Sequence, residues 1–253
     1  MARRDVLVRQ GTFLFRWRNY LPLLLVPVAL AALSRQDILD RWLGERWETA
    51  WNFLCLVVAL AGLGVRVATV GFVPGGTSGR NTREQRAATL NTTGFYSIVR
   101  NPLYLGNMIV LAGLALAVKV WWFPAVALAV AVVYYRCIIA AEEAFLTQRF
   151  GEAYRTWMQR TPRLWPEARQ WVAPALTFSW RSALRREYGG AYLIFVTLTL
   201  IDLLDDLWRE GEPLSAWVHQ DAAWIVQFAL GSVAYLVMRA IKKKTRWLVE
   251  SGR

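Results

Sequence analysis

The chain has 253 residues, 56% of them hydrophobic, with 14 Trp and a formal charge of +12 at pH 7. So apolar a composition, gathered in long runs, excludes an ordinary soluble domain. It makes an all-α, polytopic membrane bundle the expected fold. The basic residues lie between the runs, where membrane topology needs them, and form no solvated stripe, so the bilayer and not nucleic acid is the expected partner.

Six spans are predicted in chain order, taking roughly 17–25 apolar residues as the requirement for crossing. The first, about Asn19–Leu33, follows five arginines (Arg3, Arg4, Arg9, Arg16, Arg18) and holds Pro22 and Pro27. It reads as a short span rather than a cleaved leader, because its removal would upset the charge alternation of the loops. The second is about Ala50–Val73 and holds Arg66. The loop behind it places Arg80, Arg83 and Arg86 three apart, on one face of any helix formed there. Such a ridge suits a phosphorylated headgroup, simple anchoring or anionic lipid.

Spans three (Leu103–Val118) and four (Trp121–Ala140) are joined by little more than Lys119, which predicts a helical hairpin with Trp121 and Trp122 at the outer interface. Glu167–Arg186 mixes Trp171, Phe178 and Trp180 with four arginines and reads as an interfacial, partly helical segment. Span five is about Tyr188–Leu207, with Asp205 and Asp206 at its outer end and Asp202 deeper. Span six is about Ala222–Ala240. Alternate loops carry 23 basic side chains against five. This predicts that both termini and the two long loops are cytoplasmic, and the expected setting is a bacterial inner membrane.

Metal and thiol chemistry have little support. Cys55 and Cys137 both lie in apolar runs as small hydrophobes, and His219 is the only histidine. Arg66 and Arg136, in or near apolar runs, read as snorkelling to the cytoplasm.

Chemistry concentrates at the two cytoplasmic ends of the predicted hairpin. Arg100-Asn101-Pro102 opens span three. Asn suits an N-cap and Pro the first helical position, and a free helix N-terminus also attracts anions. Span four runs out into EEAFLTQRFGEAYRTW, with Glu142 and Glu143 close to the apolar boundary. Adjacent carboxylates there need a cationic or hydrogen-bonding partner. Two readings stay open. The pair either fastens helices through Arg100, Arg136 or Arg149, or faces the helix start across a site for a zwitterion.

The two stretches GFYSIVRNPLYLG and EEAFLTQRFGEAYRTW, followed by TPRLWP, resemble the isoprenylcysteine carboxyl methyltransferase and phospholipid methyltransferase family. That family reads G-x-Y-x-x-x-R-H-P-x-Y-x-G and then E-E-x-x-L-x-x-x-F-G-x-x-Y. The likeness spans about Gly94–Pro166. It implies an integral membrane enzyme that uses S-adenosylmethionine without a soluble Rossmann domain, and the chain has no strand followed by GxGxxG. It further implies a cofactor site around Asn101, Pro102, Leu103, Tyr104, Gly106, Glu142, Glu143, Phe150 and Tyr154. Arg100, Glu143 and Arg149 are the candidate catalytic group. Arg149, with Arg80, Arg83 and Arg86, is the candidate acceptor grip.

The residue at the family's His position is Asn101. Methyl transfer to an amine benefits from a general base, whereas a carboxylate or phosphate oxygen is already anionic. O-methylation of a lipid phosphate or lipidated carboxylate is therefore favoured, with a phospholipid amine as the alternative. A non-catalytic scaffold or lipid-binding protein is the rival of another class. The expected organisation is one membrane domain over 1–253. It contains a family-like core (94–166), the interfacial segment (167–186) and a two-helix extension (187–253).

Overall fold

The computed structural model describes residues 2–18, 20–34, 38–77, 87–211, 213–220, 222–250 and 252, and among these all regular structure is helical. The helices are α1 (Ala2–Trp17), α2 (Leu25–Leu33), α3 (Ile38–Gly71), α4 (Phe95–Ile98), α5 (Pro102–Leu116), α6 (Phe123–Phe150), α7 (Glu152–Arg160), α8 (Trp180–Asp205), α9 (Leu214–Gln220) and α10 (Ala222–Lys244). Among the described residues, three segments are long and apolar enough to cross a membrane: Trp47–Gly71 in α3, Phe123–Phe150 and Ala222–Lys244. They carry the second, fourth and sixth predicted spans. Pro22–Leu33 and Pro102–Leu116 are shorter apolar helices. The fifth predicted span falls in α8, which buries Glu187, Asp202 and Asp205.

The most extensive packing joins α3 to α5. Small residues permit it. A Cβ built on Gly106 would lie 2.8 Å from the Gly62 carbonyl oxygen, and one on Gly113 would lie 2.7 Å from the Cys55 carbonyl and 2.6 Å from the Ala59 nitrogen. Only glycine allows the backbones this close. α8 packs on α3, and α10 packs on α8. α1 lies along α6, with Gly11 set against the Cys137 backbone and the Ala141 methyl. That N-terminal helix was not foreseen. Trp180–Arg186, at the end of the segment read as interfacial and partly helical, forms the first two turns of α8.

α5 begins where Pro102 fixes a helical φ and needs no N–H partner, and it ends in a turn at Lys119, φ 59°. The Lys119 side chain is 4% exposed. Its Nζ donates to Glu48 of α3 and, at 2.8 Å, to Asp205 of α8. Burial alone would lower its pKa, but the two carboxylates hold it above the ordinary lysine range. Nearby, Asp202 accepts from Trp217 Nε1 at 3.2 Å and from Asn52 Nδ2 at 3.4 Å. This polar cluster ties α3, the α5–α6 link and α8 together at one end of the bundle.

At the other end, irregular backbone replaces helix. Arg100 N–H donates to the Pro162 carbonyl, Gly94 N–H to Val172, and Glu167 N–H to Ile98. Ser97 Oγ accepts from Val172 N–H, and Trp157 Nε1 donates to the Tyr96 carbonyl. The segments 93–101 and 161–175 thereby satisfy one another, as backbone removed from water must.

Candidate functional site

A cavity of about 500 Å³ opens at this end. Its walls come from α1 (Phe15), the chain just after it (Arg18), α3 (Arg66), segment 87–91, the start of α5, the second half of α6, α7 and the start of α8 (Arg186, Glu187). It therefore collects residues from α1 through the start of α8 around the two motifs.

The start of α5 supplies donors. Asn101 stands at the N-cap position, but its side chain caps nothing. Instead Asn101 Nδ2 donates to the Arg163 carbonyl at 3.0 Å, pinning the loop after α7. The expected N-cap bond is thus replaced by a tertiary one. The Leu105 N–H bonds back to the Asn101 carbonyl. The N–H groups of Leu103 and Tyr104, just before it, have no intrahelical acceptor, and both residues line the cavity.

Glu143 is 6% exposed and is engaged on both oxygens. Arg100 Nη1 donates to Oε1 at 2.7 Å, and Arg163 donates from Nε to Oε1 at 3.1 Å and from Nη2 to Oε2 at 2.7 Å. Among the described residues, Arg100 Nε is buried without a hydrogen-bond partner. Glu142 differs. It accepts from Tyr104 Oη at 2.7 Å, and an Arg18 nitrogen stands 3.8 Å away. The Tyr104 ring stacks on Tyr135, centroids 4.8 Å apart. Tyr96, Tyr154 and Trp157 add further aromatic surface. Burial pushes the Tyr96 and Tyr154 phenols up to about 12.

Of the residues singled out in the sequence, Arg100, Asn101, Leu103, Tyr104, Glu142, Glu143 and Tyr154 line this cavity together. Pro102, Gly106, Arg149 and Phe150 do not. Pro102 is buried as the first residue of α5, and Gly106 faces α3. Arg149 Nε donates to the Ala87 carbonyl, and its guanidinium lies 5.9 Å from the Phe150 ring centre. Arg80, Arg83 and Arg86 lie outside the described residues.

Several lining residues escaped the sequence. Arg66, expected to snorkel, is bound inside the bundle. Its Nε and Nη2 donate to the two oxygens of Glu187, each at 2.8 Å, and its Nη1 donates to Asn107 Oδ1. The sequence signal was the cost of a lone arginine in an apolar run, which demands a partner. Arg163 sat in TPRLWP, within the motif-bearing stretch Gly94–Pro166, but received no role.

The family model for phospholipid methyltransferase matches residues 50–153. The cobalt-zinc-cadmium resistance protein CzcN of Cupriavidus metallidurans is 33% identical over 176 residues, covering 69% of this chain and 78% of its own. The chain belongs to the phospholipid methyltransferase family. The nickel-cobalt-cadmium resistance protein NccN of Alcaligenes xylosoxydans xylosoxydans is also similar, 29% identical over 225 residues, covering 87% of this chain and 92% of its own. No solved structure matches. The match begins on α3 and stops one residue before Tyr154, so Arg66, Arg100, Tyr104, Glu142 and Glu143 fall inside it. Arg18, Arg163 and Glu187 come from outside.

Proposed function

We propose that this chain transfers a methyl group from S-adenosylmethionine to an anionic oxygen on the head of a membrane-held acceptor, a lipid phosphate or a lipidated carboxylate. One observation carries the reading. A single cavity joins a helix N-terminus and a buried, partly unsatisfied arginine to a carboxylate and a wall of tyrosines. That donor set fits the cofactor. The N–H groups of Leu103 and Tyr104, with Arg100 Nε, would receive its carboxylate. Glu142 would receive its ammonium or ribose hydroxyls, and the faces of Tyr104 and Tyr135 would lie toward the positive sulfur. Glu143, held by Arg100 and Arg163, keeps Arg100 aimed into the cavity.

When bound, the cofactor supplies a methyl that leaves sulfur with its bonding pair left behind, while a lone pair of the acceptor oxygen forms the new O–CH₃ bond. No proton moves in that exchange, so no residue has to serve as base. The protein's work is alignment, exclusion of water and charge placement. In this reading the six apolar segments all cross the membrane, the paired helices α5 and α6 form the core of the cofactor site, and the site faces the cytoplasm. The loop charges support that orientation.

The relatives' names bear on the acceptor. Methylating a phosphate or carboxylate removes one negative charge, which lowers the concentration of divalent cations drawn to the membrane surface. Methylating a protonated amine leaves the charge unchanged. An amine acceptor remains the second reading because Glu142 lies on the wall and is a ready base.

The test is transfer of labelled methyl from S-adenosylmethionine to the host's lipid extract by purified protein in nanodiscs, with products resolved by mass spectrometry. Label on one lipid species, absent with Glu142→Gln, is the expected result. An oxyanion acceptor gives a rate flat between about pH 6.5 and 8.5. An amine gives one rising roughly tenfold per pH unit below its pKa. No label and no cofactor binding would leave a membrane scaffold.

A further inference from the structure

The cavity has a second polar end. Asn107 lies six residues beyond Asn101 along α5, roughly 9 Å deeper at 1.5 Å per residue. There Arg66 of α3 meets Asn107 and, from α8, Glu187, which is 3% exposed. Among the described residues Arg66 makes three hydrogen bonds, through Nε, Nη1 and Nη2. A guanidinium has five N–H groups, so two remain for a ligand. The bidentate carboxylate and the Asn107 oxygen fix the plane of the fork, and all three residues line the cavity.

Charge selects the ligand. The lining holds four arginines (Arg18, Arg66, Arg100, Arg186) and three glutamates (Glu142, Glu143, Glu187). Arg163 adds a further positive charge on Glu143. The cofactor of the reading above brings a sulfonium to a zwitterion, one more net positive charge. The loaded cavity is therefore positive, which favours an anionic group and disfavours a protonated amine.

We infer that Arg66, oriented by Glu187 and Asn107, is the acceptor subsite, binding an anionic oxygen of the lipid head and presenting it to the methyl donor. The inference rests on the methyltransferase reading and adds the residue that chooses the acceptor. Arg66 touches the acceptor. Glu187 and Asn107 are positioning residues. α8, outside the matched family region, then completes the site.

The test uses full-length protein in phosphatidylethanolamine nanodiscs, doped in separate arms with phosphatidylglycerol or with an S-prenylated cysteine carrying a free carboxylate. Donor affinity is measured by equilibrium dialysis of labelled S-adenosylmethionine, and acceptor KM and kcat by label incorporation. Arg66→Lys, which keeps the charge and loses the fork, should raise the KM of the anionic acceptor at least tenfold. Donor Kd should stay within about twofold. Asn107→Leu should raise the same KM about threefold and serves where Arg66→Lys does not fold. The arm that takes label identifies phosphate or carboxylate. Unchanged KM with a lowered melting temperature would make Arg66 a fastener and overturn the inference. So would donor binding weakened as much as acceptor KM, which moves Arg66 to the donor end. Label only on the amine nitrogen of phosphatidylethanolamine overturns it while leaving the methyltransferase intact. Failure of the wild-type protein to bind donor removes both.

Discussion

Arg100 Nη1 donates to Glu143 Oε1 at 2.7 Å, joining the two motifs across 43 residues of sequence. Arg163 closes the same carboxylate from the other side. Glu143→Ala would leave Arg100, whose side chain is 12% exposed, as an uncompensated charge. Arg163 is 41% exposed and regains water, so its share is small. The expected cost is about 2–3 kcal/mol of stability, with methyl transfer abolished. Thermal unfolding in detergent checks the first, and label incorporation the second. Arg163→Ala should cost less than half as much.

Tyr104→Phe removes the hydroxyl that donates to Glu142 and keeps the ring stacked on Tyr135. The bond is worth about 1 kcal/mol, so donor affinity should fall roughly fivefold. Glu142→Gln, which removes the charge, should lower it further. Equilibrium dialysis of labelled cofactor separates the two.

Much of this site was legible because its parts lie on one helix start and one helix end joined by a short link. Arg100, Tyr104 and the glutamates had to meet once Lys119 was read as a turn. The bond from Arg66 to Glu187 was not legible. Its partners are 121 residues apart, and an apolar helix gives no periodicity to say which face looks inward. Asn101 was read as a local cap because the competing acceptor, the Arg163 carbonyl, arrives only with the tertiary fold. Lys119 was read as a loop residue for the same reason. Its carboxylate partners come from α3 and α8. The spanning segments were legible where apolar length alone decides, in α3, α6 and α10. α1 was missed because it is held by the Gly11 contact with α6 and not by an apolar run of its own.

Gly113→Val tests the α3–α5 contact. The added Cβ would meet backbone atoms of Cys55 and Ala59, which cannot rotate away. The helices must part, at a cost of about 1–3 kcal/mol. Since Arg66 lies on the displaced α3, acceptor KM should rise as well. Gly189→Ala, with nothing within 4 Å of its Cβ position, is the control expected to change neither.

Alkaline pH should destabilise the fold in a defined window. Tyr96 and Tyr154 have folded pKa values of about 12, raised chiefly by burial from an ordinary 10. The folded state therefore holds protons that the unfolded state releases. Stability is complete below pH 10 and is lost as pH rises toward 12. The melting temperature should fall across that interval, less steeply in Tyr96→Phe. Tyrosinate absorbance should show the two phenols ionising late.

The brevity of α5 carries one more consequence. Its 15 residues extend about 22 Å, whereas a hydrocarbon core of about 30 Å needs about 20 residues. If α5 crosses the bilayer as proposed, the shortfall can be met at the cavity end, where segments 93–101 and 161–175 satisfy each other's backbone groups. Under the proposed function, hydrophobic mismatch at α5 would draw the lipid–water boundary inward at the place where the acceptor's head would meet a water-soluble donor. Transfer should accordingly be fastest in bilayers of short acyl chains and slow as the chains lengthen, with donor affinity unchanged. A series of nanodiscs differing only in chain length would measure it.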